Sequence, residues 1–458
     1  MSTSISTESV AAAPVGLDAL VPVGAPSAHA SAISRCPFAG PALPTLHGDS
    51  VVEAGSAADL WRDQAVIDEI DRWSAGDAPD GVALAQLITA HSRAIGKHFL
   101  SVPILTRLSE IRRQHGARDE FLDAFLDGVL DKFEGRYYNR TYLALPLLEK
   151  ICDDPQSGLD PERLSALLMA DVVRHETDTA AKESSSDRPD PKTLRKRVTH
   201  ALRFVASCRD ADNEVGRDLD LGEVLESLPA LPATRAGDWF DMSVQPVYVA
   251  HDEYFFMRAL QAHEMVFTTL AIDISAATTS LRGGRFEEAV SHLEHANKVF
   301  ARAAMLFRLV ATMRPAHFHA FREFTQGASA IQSEQYKRFE IACGAPTVER
   351  LSSDAFTNVP AVQAEAVAGK DNLSAAYLDA RRDGVFAPDQ WEILDAVLTR
   401  LEAAHQRWKG THHSMASRML GDAAGSGYTT GVPYLQKCID NRLFRQLGEC
   451  FLDNSKAS

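Results

Sequence analysis

Three patterns in this chain use residue types that hold metals or cofactors, and each fails on spacing or context. His251-Asp252-Glu253 contains the His-x-Glu of a two-histidine, one-carboxylate iron site. The residues after it carry helical apolar spacing, and positions two apart on a helix do not face the same way. The triplet reads instead as a helix start, with Asp252 and Glu253 favoured at the positive end of the dipole. Glu402 and His405 have the spacing of a carboxylate-bridged di-iron pair. Such bundles need that motif twice plus two further glutamates, and one copy is present. The glycines at 425, 427 and 431 superficially suggest a dinucleotide loop, but the segment follows a helical pattern and Pro433 comes just beyond. Neither a GxSxG elbow nor a Walker loop occurs.

Helices must position whatever chemistry the chain performs, because alternating strand-like runs are nearly absent. From Ala57 onward the apolar residues Leu60, Trp61, Ala65, Val66, Ile67 and Ile70 recur at three- and four-residue steps. The pattern returns over 81–97, 101–114, 118–133 and 141–152. A polar break covers 183–192, with Pro191 suited to the start of the next helix. Residues 209–240, acidic and then proline-rich, read as a loop-rich connector. A long helix is predicted from Asp252 to Leu281, stopped by Gly283-Gly284. A second runs from Phe286 to Met313 and ends at Arg314-Pro315; others follow over 330–342, 387–420 and 433–447. The expected fold class is all-α, a helical bundle core with extra N-terminal helices. The expected organisation is a disordered leader over 1–50, a helical extension over 51–135, a helical segment with a large insertion over 136–250, and a core over 251–451.

Composition narrows the function classes. The 458 residues carry 47 Lys plus Arg and 62 Asp plus Glu, a formal net charge of −15. That balance argues against a nucleic-acid or anionic-membrane partner, which requires clustered cations. Hydrophobic residues at 45% and charged residues at 24% leave enough apolar material for a sizeable core. No apolar run approaches the roughly 18 residues of a spanning helix. The cysteines at 36, 152, 208, 343, 438 and 450 form no CxxC pair and read as thiols of a reduced, cytoplasmic protein. The first residues lack a secretory pattern, so export is not expected. Cys36-Pro37-Phe38 contains the Cys-Pro dipeptide sometimes associated with haem sensing, or a chance pair in a linker.

Three segments are not explained by packing alone. The first runs from His251-Asp-Glu-Tyr-Phe-Phe256 through Leu260-Gln261 to His263-Glu264. The second is Phe321-Arg322 through Gly327 and Ser329 to Gln332-Ser333-Glu-Gln335-Tyr336. The third is Trp408, His412-His413, Arg418 and Gly421, continuing through Gly425-Ser426-Gly427 to Gly431 and Tyr434-Leu435. Together, in order and nearly without gaps, they resemble the signatures of the tryptophan 2,3-dioxygenase family, all-helical haem oxygenases. The resemblance covers about two-fifths of the chain, over 251–440. Pro315 also fits. A weaker similarity covers Glu134-Gly135-Arg136 through Tyr142-Leu143, so that about 100 residues would be inserted before the first signature.

The resemblance implies haem b as cofactor, O2 and L-tryptophan or a related aromatic amino acid as substrates, and a homo-oligomer, tetramer or dimer. It makes 251–451 the haem-binding oxygenase core. His412, four residues after Trp408, matches the proximal iron ligand. His413 lies about 100° further round the helix and should face elsewhere. Arg322 matches the residue that holds the substrate carboxylate, where a guanidinium offers a planar fork of donors; an interhelical ion pair with Glu323 or another acid is the alternative. Phe256 would pack on the substrate ring, Phe307 near the haem, and Ser329 at the distal side or haem edge. For both phenylalanines, ordinary helical core is the plain alternative. Gly425 to Gly431 would close over substrate, with Ser426 offering a hydroxyl and Gly427 backbone freedom near the cofactor. Tyr142 would complete the pocket, from a neighbouring subunit as the family's tetramers allow.

The main departure is Leu260, which stands where the dioxygenases usually carry a distal histidine. Leucine accepts no hydrogen bond, so a buried indole N–H would lose about 1–3 kcal/mol there. His263, on a nearby face, could substitute. Phe307 replaces the family's common tryptophan, and Tyr428-Thr429-Thr430 make a bulkier loop. No catalytic side chain is therefore assigned. Three readings stay open: a tryptophan dioxygenase, a secondary-metabolism haem enzyme that monooxygenates or rearranges a modified aromatic amino acid, and a non-catalytic helical haem-binding or scaffold protein.

Overall fold

The computed structural model describes residues 57–76, 80–136, 138–181, 187–209, 225–325, 330–420 and 431–448. The 1–50 leader with its Cys-Pro dipeptide, Ser329, and the loop bearing Ser426 and Gly427 lie outside them. Among the described residues all regular structure is helical, so the all-α expectation holds. No described helix is long and apolar enough to cross a membrane.

A helical hairpin forms the centre. Its first arm is His251–Arg282 and its second Phe286–Val310. The first arm is buried on nearly every face, from Phe255 and Met257 through Phe267 to Leu281, as expected of a helix with neighbours on all sides. Gly284 makes the turn at φ 66°, a left-handed conformation that a side chain would strain. Around the hairpin pack Pro161–Ala181 and Glu334–Cys343 on the first arm, and Pro388–Leu420 on the second. Pro191–Arg209 bridges Pro161–Ala181 and the second arm. One apolar cluster extends from Val66 in the first described helix to Phe444 near the end.

Several predicted helices are shorter than their patterns. The 118–133 run narrows to Glu120–Val129, started by Asp119, whose carboxylate accepts from the Phe121 and Leu122 N–H groups at 3.1 and 3.0 Å. The 141–152 run divides into Asn139–Tyr142 and Leu145–Asp153, because Ala144 adopts a left-handed φ of 47°. Within the expected connector, Arg235–Phe240 forms a short helix that buries Trp239. The 286–313 run stops at Val310, and Pro315 begins a separate helix, Pro315–Arg322, at its first turn. The 433–447 run ends at Ile439 because its last carbonyls turn to a side chain: Lys409 Nζ reaches Cys438 O at 3.0 Å and Ile439 O at 2.9 Å.

The acidic helix start at 251–253 carries more than a dipole. Asp252 is fully buried and pairs with Arg197 at 3.0 Å and with the Arg314 N–H at 2.8 Å. Arg197, also fully buried, reaches Glu176 at 2.5 Å and lies 3.7 Å over the Phe255 ring. His251 completes the group, with Nε2 at 3.0 Å from Glu176. Glu253 accepts from the Val247 and Tyr248 N–H groups at 2.8 and 3.0 Å. His251 and Asp252 thus join Pro161–Ala181, Pro191–Arg209 and the segment leading to Pro315, while Glu253 ties the helix to the Val247–Tyr248 backbone.

Removing Arg197 would leave Glu176 and Asp252 buried with less compensation, a change that typically costs about 3–5 kcal/mol. Arg197→Met is expected to lower the unfolding free energy from urea titration by an amount of that order, seen as a lower midpoint; an unchanged midpoint would show that the pair contributes nothing net.

Candidate functional site: an apolar cavity lined by His412 and Arg322

A cavity of about 250 Å³, open in part to solvent, lies among the central hairpin, Pro315–Arg322, Glu334–Cys343, Pro388–Leu420 and Val432–Ile439. Asn139, Tyr142 and Leu143 close it from the N-terminal side. Its walls are mostly carbon, as binding pockets for organic molecules are.

Every predicted site residue within the described structure lines this cavity: Tyr142, Phe256, Leu260, Phe307, Arg322 and His412. His412 sits one turn beyond Trp408, on the same face of a helix by the four-residue spacing. Its ring stacks on Phe307 at 5.2 Å, with the planes 21° apart. Burial lowers its pKa to about 4, with His413 adding repulsion, so the imidazole is neutral at physiological pH and keeps a lone pair to offer. His413 does not line the cavity, in keeping with its different direction.

At the other side, Arg322 ends Pro315–Arg322 and is half-buried. Burial lowers its pKa, and its guanidinium carbon lies 5.8 Å from the Phe318 ring. Phe256 faces Phe321 at 5.3 Å and Phe318 at 6.0 Å, making an aromatic wall beside the guanidinium. Leu260 follows one turn later and adds only carbon. Tyr142 is reached within its own chain: it is buried, and its hydroxyl donates to Glu253 Oε1 at 3.2 Å, so no second subunit is needed to bring it there. Burial pushes the Glu253 carboxyl up to about 8 despite its three donors.

Two wall residues had been missed or undervalued. Glu264, four residues after Leu260 and so on its face, is buried, and its Oε2 has no partner among the described residues. Burial raises its pKa to about 7, against the Ser333 hydroxyl and the Gln335 N–H. The four-residue spacing was a usable signal, but a glutamate on an apolar stripe more often points to solvent. His263 is also buried; its Nδ1 lies 3.0 Å from Ala259 O, and its ring packs 5.1 Å from Phe307. Its Nε2 faces the Ala303 backbone without good hydrogen-bond geometry, so this ring belongs mainly to the contact between the hairpin arms.

The Glu402 and His405 pair serves packing. His405 Nε2 lies 2.9 Å from the Tyr336 hydroxyl, and Glu402 Oε2 accepts from the Phe444 N–H at 3.0 Å. Among the described residues no group of three or more His, Cys, Asp or Glu could hold a metal ion. A metal held by His412 alone would bring its other ligands with it, as iron in a porphyrin does. The neutral His412 imidazole, on a wall that is mostly carbon, fits that group. The Trp408 Nε1 and Glu264 Oε2, both buried and without partners among the described residues, add polar atoms to the cavity wall.

The class of protein so defined is an all-helical one with a largely apolar pocket lined by a neutral histidine, His412, and an arginine, Arg322. Residues 241–372 match the family model described as tryptophan 2,3-dioxygenase. That segment holds Phe256, Leu260, Phe307 and Arg322 and ends before His412. Tryptophan 2,3-dioxygenase of Burkholderia mallei (strain SAVP1) is 25% identical over 274 residues, 51% of this chain and 88% of its own. The enzyme of that name from Polaromonas naphthalenivorans (strain CJ2) is 27% identical over 240 residues, 44% of this chain and 84% of its own. The matched segment is thus similar to the tryptophan 2,3-dioxygenase family.

The Glu264 carboxyl generates a pH prediction. Its folded pKa of about 7 lies above the ordinary 4.5, so the unfolded chain gives up this proton first. Its contribution is full below the ordinary value and is lost as pH rises through the folded one. Glu264→Gln should therefore gain stability relative to the parent between pH 4.5 and 7 and hold that gain above it. Parallel thermal melts at pH 5 and pH 8 measure the difference; equal gaps at both would place the carboxyl in water.

Proposed function

We propose that this protein is a haem-dependent oxygenase that adds O2 across the indole 2,3 bond of L-tryptophan, or of a close analogue, to give N-formylkynurenine. The observation that carries the reading is that His412 and Arg322 line one apolar cavity, within a chain whose relatives are named as tryptophan 2,3-dioxygenases. His412 would hold haem b, which when bound supplies a reduced iron able to activate dioxygen.

The chain's own residues do the rest. Phe307, stacked on His412, restricts rotation of the imidazole and keeps one edge available. Arg322 meets the amino acid's carboxylate with two parallel N–H donors, a geometry lysine lacks. Phe256 and Phe321 face the aromatic ring with carbon and exclude water from it. Tyr142 stands behind them, fixed by Glu253. Ser426 and Gly427 would belong to the segment that closes over bound substrate, with Ser329 at the cofactor's edge. Both oxygen atoms enter the product, so the balance requires no external reductant.

The test begins with colour. Purified protein should bind haem with a Soret band that His412→Ala loses. The anaerobic reduced protein, given L-tryptophan and then air, should develop the absorbance of N-formylkynurenine. Haem without that product would leave a second reading, and failure to bind haem at all would sink both.

Leu260 favours that second reading: monooxygenation or rearrangement of a modified tryptophan or another aromatic amino acid. With carbon at this point of the wall, the pocket has lost one acceptor for an indole N–H. Leu260→His should improve the KM for L-tryptophan relative to N1-methyltryptophan by about five- to tenfold, the worth of one regained hydrogen bond. Equal KM changes for the two substrates would mean that residue 260 does not face the ring nitrogen.

A further inference from the structure

The substrate-side guanidinium is the last residue of a helix of only eight residues, Pro315–Arg322. Its final turn is held locally by the Glu323 N–H on Phe321 O and by the Thr325 hydroxyl, which donates to Arg322 O at 2.8 Å, both from the turn that follows. The turn that follows, Glu323–Thr325, is held from another part of the chain. Lys132, in the turn after Glu120–Val129, donates from Nζ to the Phe324 carbonyl. The same Nζ lies 3.1 Å from His98 Nδ1. Burial, with Lys132 beside it, lowers the His98 pKa to about 4, so that ring is neutral and accepts the N–H.

The Phe324 side chain is gripped as well. Its ring lies parallel to Tyr248 at 4.9 Å and meets His98 at 5.0 Å and Phe99 at 5.2 Å. The base of Lys132 is itself anchored. Its neighbour Asp131, fully buried, pairs with Lys97 at 3.0 Å, and Lys97 also reaches Gly128 O at 2.7 Å. The start of the short helix is tied separately, by Arg314 to Asp252 at 3.1 Å and by His317 to Asp187 at 3.0 Å.

We infer that Lys132 is a positioning residue for the amino-acid end of the pocket: by holding the Phe324 carbonyl it fixes the backbone from which Arg322 projects. The inference rests on the reading of Arg322 as the carboxylate anchor. It gives the helices before residue 241 a role in recognition, since Lys132 lies outside the family-matched segment and Arg322 within it. An N–H donor that satisfies a carbonyl at the end of a helix is favourable in its own right. Here it also removes the backbone freedom that would otherwise be lost when substrate binds.

The experiment uses the full-length haem-loaded protein in a double-mutant cycle. Binding of L-tryptophan to the ferric protein is measured by calorimetry for the parent, Lys132→Met, Arg322→Ala and the pair. Lys132→Met should raise Kd and KM by about tenfold. It should leave kcat within about twofold and the Soret band unchanged, and Lys132→Arg should recover most of the loss. In the Arg322→Ala background the same change should cost less than about twofold, because the group it positions is gone. Should Lys132→Met not fold, Tyr248→Leu loosens the same turn and should move Kd in the same direction and be similarly silent beside Arg322→Ala. Normal binding by Lys132→Met, or by Tyr248→Leu in its place, while Arg322→Ala binds poorly overturns this inference alone; so does an undiminished effect in the double variant. A parent that binds no aromatic amino acid, or an Arg322→Ala that binds as the parent does, overturns the functional reading and this inference with it.

Discussion

Charge buried at the first turn of the longest central helix sets the geometry of everything around the cavity. Carboxylates cannot leave water without partners, and Asp252 and Glu176 meet that constraint by sharing the Arg197 guanidinium. Because the partners come from different segments, satisfying the charges fixes those segments relative to one another. Arg314 is drawn into the same group, so the helix ending at Arg322 starts from a defined point. Glu253 does similar work on the opposite side, capping the Val247 and Tyr248 amides and receiving the Tyr142 hydroxyl. A triplet that reads locally as a helix start is the fastening between added helices and central hairpin.

Burial also decides the protonation of the pocket. The His412 ring is held neutral because the surrounding aromatic residues offer a cation no solvation. Glu264 is pushed toward its neutral form for the same reason. Arg322 feels burial in the same sense, and a guanidinium stays charged even so. The cavity thus holds the His412 lone pair and the Arg322 guanidinium within walls that are mostly carbon, with Lys337, Arg350 and Lys409 also in its lining. Such an arrangement suits a molecule that is flat and apolar in its middle and anionic at one end.

Much of this was legible beforehand. The spacing of apolar residues identified the long helices 251–282 and 388–420 nearly to their ends, because a stripe sustained over many turns leaves no other regular structure to form. It overran where a tertiary contact ended a helix early, as Lys409 does at Cys438 and Ile439. Glu264 was passed over because polarity alone does not reveal whether a carboxyl faces water or a cavity. Tyr142 was expected to reach another subunit's pocket, since no local pattern shows how the chain between it and residue 251 folds back.

What the sequence by itself determined is the set of helices, the residue types on their faces and the ordered motifs that mark His412 and Arg322. These are local properties, written in three- and four-residue periods and in short runs of side chains. Only the tertiary structure decided which groups meet: Lys132 with the Phe324 carbonyl, Tyr142 with Glu253, Arg197 with both Glu176 and Asp252. Each such pair joins segments far apart along the chain. Its distance is set by how whole helices pack and by which buried charges must be satisfied, and no local period records that.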